Sequence, residues 1–102
     1  MAIRKQFLKT RPVCKVTFKI PDAIGNGATD AKVVGEFNDW STSATPMKRQ
    51  KNGIFSVTID LETGRSYQFR YLLGQSHWTN DPEADDDLPT PFGESRNSVI
   101  RL

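Results

Sequence analysis

The fold of this chain is decided by two consecutive stretches, Phe55-Ser56-Val57-Thr58-Ile59-Asp60-Leu61 and Ser66-Tyr67-Gln68-Phe69-Arg70-Tyr71-Leu72-Leu73. Apolar and polar residues alternate in both, and a period of two puts the apolar side chains on one face of a β-strand. The residues between them, Glu62-Thr63-Gly64, predict a turn. If Phe69 and its aromatic neighbours enter the core, Arg70 lies exposed on the opposite face of the sheet.

The same alternation continues outward from this pair. Cys14, Val16, Phe18 and Ile20 alternate with polar residues, and further strands are predicted over residues 32–37, 46–50 and 97–102. Apolar residues do not recur at helical spacing over a helical length. About seven short strands in a chain of 102 residues predict an all-β fold, a two-sheet sandwich of the immunoglobulin-like type.

Length and charge restrict the organisation of the chain. One domain with one core is expected over residues 13–102, preceded by a flexible basic arm over residues 1–12. The net charge of +2 is too small to indicate a nucleic-acid or membrane partner. The single Cys14 fits a small core residue in a reducing compartment. The sequence contains no apolar run typical of a signal peptide or a membrane span, so we expect a cytoplasmic location.

Two tryptophans stand among small polar residues where strands are predicted to end. Trp40 lies in Gly35-Glu36-Phe37-Asn38-Asp39-Trp40-Ser41, and Trp78 lies in His77-Trp78-Thr79-Asn80-Asp81-Pro82. An indole ring in a wet loop can stack on the apolar face of a sugar while neighbouring polar groups bond its hydroxyls. The pattern therefore suggests carbohydrate recognition. The alternative is that both rings cap the ends of a small β core.

The sequence gives little support for catalysis or metal binding. The acidic, proline-punctuated segment 81–91 predicts a solvated loop, and its residues fail the calcium-loop pattern because Asp86 and Phe92 stand where glycine and glutamate are required. Asp39 and Asp81 could form a carboxylate pair for glycoside chemistry, but a small sandwich offers no deep cleft. We therefore expect no catalytic residue, no metal and no cofactor, and favour binding without turnover.

Six motifs of this sequence resemble carbohydrate-binding module family 48. They cover most of residues 13–102 in the family's order and are Val34-Gly35-Glu36-Phe37-Asn38-Asp39-Trp40, Thr45-Pro46-Met47, Gly53-Ile54-Phe55, Tyr67-Gln68-Phe69-Arg70-Tyr71, Trp78-Thr79-Asn80-Asp81-Pro82 and Asn97-Ser98-Val99-Ile100. The family includes the early-set domains at the N-termini of isoamylases and branching enzymes. It also includes the glycogen-binding domain of the β-subunit of the AMP-activated kinase.

The resemblance implies a set of sugar-binding residues. Trp40 and Trp78 match the pair of tryptophans that stack on an α-glucan, and Arg70 replaces a lysine that bonds sugar hydroxyls. Asn97 matches an asparagine near the final strand, and Ser95 replaces a threonine. The binding members carry a leucine where this chain has Gly93, a departure for which the neighbouring Phe92 could compensate.

The implied function is non-catalytic binding of α-1,4-linked glucan, such as glycogen, starch or maltooligosaccharide. The alternative is a protein-interaction or regulatory module that docks on a glycogen-metabolising enzyme and retains only vestigial sugar affinity. Retention of both tryptophans favours the first interpretation, whereas the departure at Gly93 favours the second.

Overall fold

The computed structural model describes residues 3–21, 24, 27–90 and 95–102. Within these residues it contains nine strands and a short 3₁₀ helix at Glu36–Asn38. The strands are β1 (Ile3–Phe7), β2 (Val13–Ile20), β3 (Ala31–Gly35), β4 (Pro46–Arg49), β5 (Phe55–Glu62), β6 (Ser66–Leu73), β7 (His77–Thr79), β8 (Asp86–Pro89) and β9 (Arg96–Arg101). The all-β prediction is confirmed. In this part of the chain no helix has the length and apolar character needed to cross a membrane.

All strands belong to one antiparallel sheet in the order β1-β2-β5-β4-β3-β6-β9-β8, with β7 paired to β6. Strand β4 joins the two halves of this path, because Lys48 and Arg49 pair with β5 whereas Met47 pairs with Ala31 of β3. The sheet curls, so that β2 and β6 face each other across the core. This curled sheet is compatible with an immunoglobulin-like fold, and the two-sheet sandwich stays a prediction.

The core fills the space between the two halves of the sheet. Phe18 of β2 packs its ring 5.1 Å from that of Phe69 and 6.4 Å from that of Tyr71, both on β6. All three side chains are fully buried, and burial of a large apolar side chain contributes roughly 1.5–3 kcal/mol. The alternation predicted for β6 is therefore present, with Gln68 and Arg70 on the face away from the core.

The first strand differs from the sequence-based expectation of a flexible arm over residues 1–12. Ile3–Phe7 pairs with β2 along its whole length, from Ile3 opposite Phe18 to Phe7 opposite Cys14. The Lys5 ammonium donates to Asp85 Oδ2 at 2.6 Å and to the carbonyl of Arg101 at 3.1 Å. The basic residues that suggested a solvated arm therefore include one that ties β1 to the opposite end of the sheet.

The acidic segment is partly a strand. Residues Asp86–Pro89 form the edge strand β8, a position that tolerates a proline because one side of the backbone is unpaired. Asp86 pairs with Arg101. Burial acts to raise the pKa of Asp85, but hydrogen bonds from the Arg101 N–H and from Lys5 outweigh it and lower that pKa. No group of three or more potential ligands that could hold a metal ion occurs among the residues described.

Candidate functional site

A cleft of about 450 Å³ lies on the outer face of β6, on the side away from the core. Its described lining residues are Glu36, Trp40, Gln68, Arg70, Trp78, Thr90, Ser95 and Asn97. The structure thus brings together all five residues that the sequence singled out for sugar binding, namely Trp40, Arg70, Trp78, Ser95 and Asn97. They come from separate parts of the chain, and their role in binding stays a prediction.

Strand register explains why these residues meet. Arg70 lies opposite Val34 of β3, and Leu72 lies opposite Trp78 of β7. Directly opposite residues of antiparallel strands project from the same face. Val34 and Leu72 are buried although they lie on the outer face, so an apolar layer underlies the polar surface of the cleft.

Trp40 is held by a tight corner that follows β3. Its backbone N–H donates to the carbonyl of Gly35 at 2.8 Å. The Asn38 side chain accepts from the N–H of Gly35 at 3.1 Å, and its amide donates to the carbonyl of Val33 and to Thr45 Oγ1, each at 3.0 Å. Asp39 and Trp40 both adopt left-handed backbone conformations, with φ of 56° and 59°. The corner leaves the indole of Trp40 partly exposed in the cleft.

Gly35 is required where this corner approaches β6. A Cβ atom at position 35 would lie 2.5 Å from the carbonyl oxygen of Gln68 and 2.8 Å from Cβ of Phe69. Both distances are shorter than carbon atoms tolerate without displacement of the backbone. The glycine therefore allows the corner that carries Trp40 to pack closely against β6.

Trp78 is held in a different way, as the middle residue of the short strand β7. The following Asn80 donates to the carbonyl of Arg96 at 2.8 Å, and its Oδ1 accepts from the N–H and the hydroxyl of Ser98 at 3.2 and 2.9 Å. Buried Asp81 accepts from the hydroxyl of Tyr71 at 2.7 Å. Burial, together with this carboxylate, raises the pKa of Tyr71. These bonds attach the end of β7 to β9 and to the core.

A chain of polar side chains crosses the cleft between the two tryptophans. Arg70 Nε donates to Asn97 Oδ1 at 2.6 Å, and Asn97 Nδ2 donates to Gln68 Oε1 at 3.0 Å. The backbone N–H of Gln68 donates to Glu36 Oε1 at 2.6 Å. Thr90 and Ser95 also line the cleft, and their hydroxyls are 2.5 Å apart. The network fixes the orientation of the polar groups before any ligand arrives.

Three lining residues were missed by the sequence analysis. Gln68 could have been found, because it lies two positions from Arg70 and hence on the same face of a strand. Glu36 lies within a quoted motif but carried no signal of its own, and nothing in the sequence pointed to Thr90. Gly93, where this chain lacks the leucine of the binding members, and the neighbouring Phe92 lie outside the described residues.

The carboxylate pair considered from the sequence is not formed in this cleft. Asp81 is buried against Tyr71 and Ser98. Neither Asp81 nor Asp39 is among the described lining residues. Asp81 instead serves to hold the segment that follows Trp78.

Comparisons with known proteins bear on the chemistry of the cleft. Residues 25–84 match the family model described as carbohydrate-binding module 48 (isoamylase N-terminal domain). The chain is also similar to Protein PTST homolog 2, chloroplastic, from Arabidopsis thaliana, with 33% identity over 57 residues. That similarity covers 56% of this chain and 10% of the relative, so the chain matches about a tenth of that protein's length.

Proposed function

Because the chain belongs to carbohydrate-binding module family 48, we propose that it binds α-1,4-linked glucan by stacking sugar rings on Trp40 and Trp78. Glycogen, starch and maltooligosaccharides are the candidate ligands. The observation that carries the proposal is the presence of two large, partly exposed indoles in one cleft, 40% exposed at Trp40 and 41% at Trp78.

The surroundings of the two rings support a sugar ligand. A pyranose has an apolar face of C–H groups and a rim of hydroxyls, so it needs both an aromatic platform and nearby polar groups. The linked side chains of Arg70, Asn97 and Gln68 supply such groups between the tryptophans. Because these side chains already hold each other, little rotamer entropy remains to be lost on binding.

The proposed function does not include catalysis. Glycoside hydrolysis usually requires two carboxyl groups placed across the scissile bond. Glu36 is the one carboxylate among the described lining residues, and its Oε1 already accepts from Gln68. The arrangement suits retention of a glucan chain rather than its cleavage.

Truncation of each tryptophan tests the proposal. Stacking on an aromatic ring is worth about 1–3 kcal/mol in the comparable case of nucleic-acid bases, so Trp40→Ala and Trp78→Ala should each weaken maltoheptaose binding roughly tenfold or more. Phe7→Ala is the matched control, since Phe7 is an exposed aromatic of β1 outside the cleft. Calorimetric titration and co-sedimentation with insoluble starch measure the affinity. Unchanged affinity in a folded Trp78→Ala protein contradicts the assignment.

A second candidate function is docking on a glycogen-metabolising enzyme, and the face of the sheet across the core from the cleft favours it. Strands β1, β2, β5 and β4 present Arg4, Lys19 and Lys48 there, beside the ion pair of Lys15 with Asp60. A basic face fits an acidic protein surface. A cytoplasmic location remains a prediction from the sequence.

Charge reversal tests this second candidate. The triple variant Arg4→Glu, Lys19→Glu and Lys48→Glu should abolish salt-sensitive capture of purified branching enzyme by the immobilised chain, while its affinity for maltoheptaose stays unchanged. Failure of the wild-type chain to capture this enzyme counts against docking on it. Trp78→Ala serves as the control, because it removes one aromatic ring of the cleft and leaves the basic face intact.

A further inference from the structure

We propose that Glu36 makes the cleft selective for uncharged glucan over glucan that carries phosphate monoesters. The inference rests on the proposed function, because it assumes that a glucan occupies the cleft between Trp40 and Trp78. It assigns a specificity role to a residue that neither the sequence motifs nor the family match singles out.

The first observation is which hydrogen-bonding atoms of the charged side chains in the cleft are already bonded and which are not. Arg70 is bonded through Nε, and its two terminal nitrogens make no hydrogen bond with the residues that the structure describes. Glu36 accepts through Oε1, and in the same part of the chain Oε2 has no hydrogen-bond partner. The cleft therefore offers a free donor group and a free charged acceptor. A sugar hydroxyl both donates and accepts, whereas a phosphate dianion only accepts.

The charge of the cleft is the second observation. Arg70 and Glu36 are the charged residues among the described lining residues, and their formal charges cancel. A neutral glucan is indifferent to this balance. A phosphate group carries a charge of about −1.5 to −2 near neutral pH. Repulsion from Glu36 offsets its attraction to Arg70, so the cost of removing the phosphate from water is left uncompensated and the neutral sugar is favoured.

The fixed position of Glu36 is the third observation. Glu36 is the first residue of the 3₁₀ helix that follows Gly35. Its carboxylate accepts a hydrogen bond from the backbone N–H of Gln68 at 2.6 Å. That N–H belongs to β6 just beyond the end of its pairing with β3. The carboxylate thus extends the hydrogen bonding of β3 along β6. This hydrogen bond favours a position of the exposed carboxylate beside the cleft, where an approaching phosphate meets its charge.

Glu36→Gln separates charge from structure, because the amide oxygen of glutamine can still accept the Gln68 N–H. Asp39→Asn is the matched control. It removes one negative charge from the same exposed corner, at a residue that is not among the described lining residues, and asparagine tolerates the left-handed backbone there. The probes are maltoheptaose and maltoheptaose phosphorylated at a C6 hydroxyl, titrated at low ionic strength against both variants and wild type.

We expect wild type to prefer the neutral sugar, and Glu36→Gln to reduce that preference about three- to tenfold, the range that Coulomb's law gives for one unit charge about 7 Å from a phosphate charge of about −1.5 to −2 in a wet site. Asp39→Asn should change the preference less than about twofold. A preference in Glu36→Gln equal to that of wild type, or an equal effect of both variants, overturns the inference and leaves the proposed function standing. A wild type that binds neither sugar overturns the proposed function and the inference together.

Discussion

The two tryptophans of the cleft are exposed to a similar extent, but the chain holds them by different means. Each lies two residues from an asparagine whose side chain makes three hydrogen bonds, Asn38 before Trp40 and Asn80 after Trp78. Trp40, however, follows β3 in a left-handed backbone conformation. Trp78 lies within β7 and pairs with Leu72 through the backbone.

The difference is that backbone pairing positions one indole of the cleft, whereas side-chain hydrogen bonds and a close contact position the other. At Trp78 the backbone ladder fixes the direction of the indole, and Asn80 attaches the end of the strand to β9. At Trp40 the strand has already ended, so the corner depends on Asn38 and on the close approach that Gly35 permits. Disturbance of the corner should therefore affect ligand binding more than the same disturbance after β7.

The largest effect is expected from Gly35→Ala, which attacks the Trp40 corner directly. The added Cβ would overlap the backbone of β6, and we expect a loss of about 3 kcal/mol or more in the free energy of unfolding. Gly74→Ala is the control, because Gly74 has a φ of 64° but no atom within 4 Å of an added Cβ, so it should cost about 1 kcal/mol. Urea unfolding measures both, and equal costs would show that the corner yields easily.

Removal of the two asparagines tests the comparison itself. Asn38→Ala and Asn80→Ala should each lower the free energy of unfolding by about 2–3 kcal/mol, because each leaves several polar groups without partners. Only Asn38→Ala should also weaken maltoheptaose binding, by about fivefold, since the backbone ladder of β7 still positions Trp78 in the other variant. Equal losses of affinity in the two folded variants would remove the distinction between the two anchors.

Glycine instead of alanine at each tryptophan position should change the stability of the protein in opposite directions. Trp40→Gly should be more stable than Trp40→Ala by about 1 kcal/mol, because glycine adopts a left-handed conformation without strain. Trp78→Gly should be less stable than Trp78→Ala by about 0.5–1 kcal/mol, because glycine weakens a strand. Thermal or urea unfolding of the four proteins provides the test. A Trp40→Gly protein no more stable than Trp40→Ala would mean that the left-handed conformation at position 40 carries no strain.

The smallest effect is expected from salt. Both aromatic platforms are uncharged and a neutral glucan releases no counterions, so the affinity for maltoheptaose should change less than about twofold between about 20 and about 200 mM NaCl. A steep fall in affinity with salt would show that charge rather than stacking dominates, and that Arg70 has another role. Starch free of phosphate should give the same result as maltoheptaose.

Much of the fold could be predicted from the period of two. It identified β2, β5 and β6 and placed Arg70 on the outer face, because burial on one side of a strand leaves a strong pattern. The pattern is weak at the two ends of the sheet. Ile3–Phe7 contains charged residues, and Asp86–Pro89 contains a proline, so neither resembles a strand. Each nevertheless pairs with the strand that follows it in the sequence, β1 with β2 and β8 with β9, so their composition and not a distant contact hides them from the period of two.

The site was predictable where its residues match family motifs and unpredictable where it depends on strand register. Trp40, Trp78 and Asn97 could be named in advance, but the sequence does not reveal which backbone N–H lies beside Glu36. That information appears only once β3 has been placed against β6 with Gly35 opposite Phe69. The anchoring role of Asn80 was missed for a related reason, because its partners Arg96 and Ser98 lie on β9, whereas the bonds of Asn38 are local to its corner.

The contact of Lys5 with Arg101 has a consequence for how the protein folds during synthesis. The two residues are 96 positions apart, and a ribosome adds about 5–20 residues per second. The first strand therefore waits about 5–20 s for the strand that anchors it, paired only with β2 in a hairpin that is marginally stable alone. Pairing between distant segments is also slow in itself, on the order of milliseconds to seconds for β folds of this kind. Until Ser66–Leu73 has been added, the apolar residues of β2 lack their partners on β6, and the nascent chain exposes an apolar surface that can aggregate.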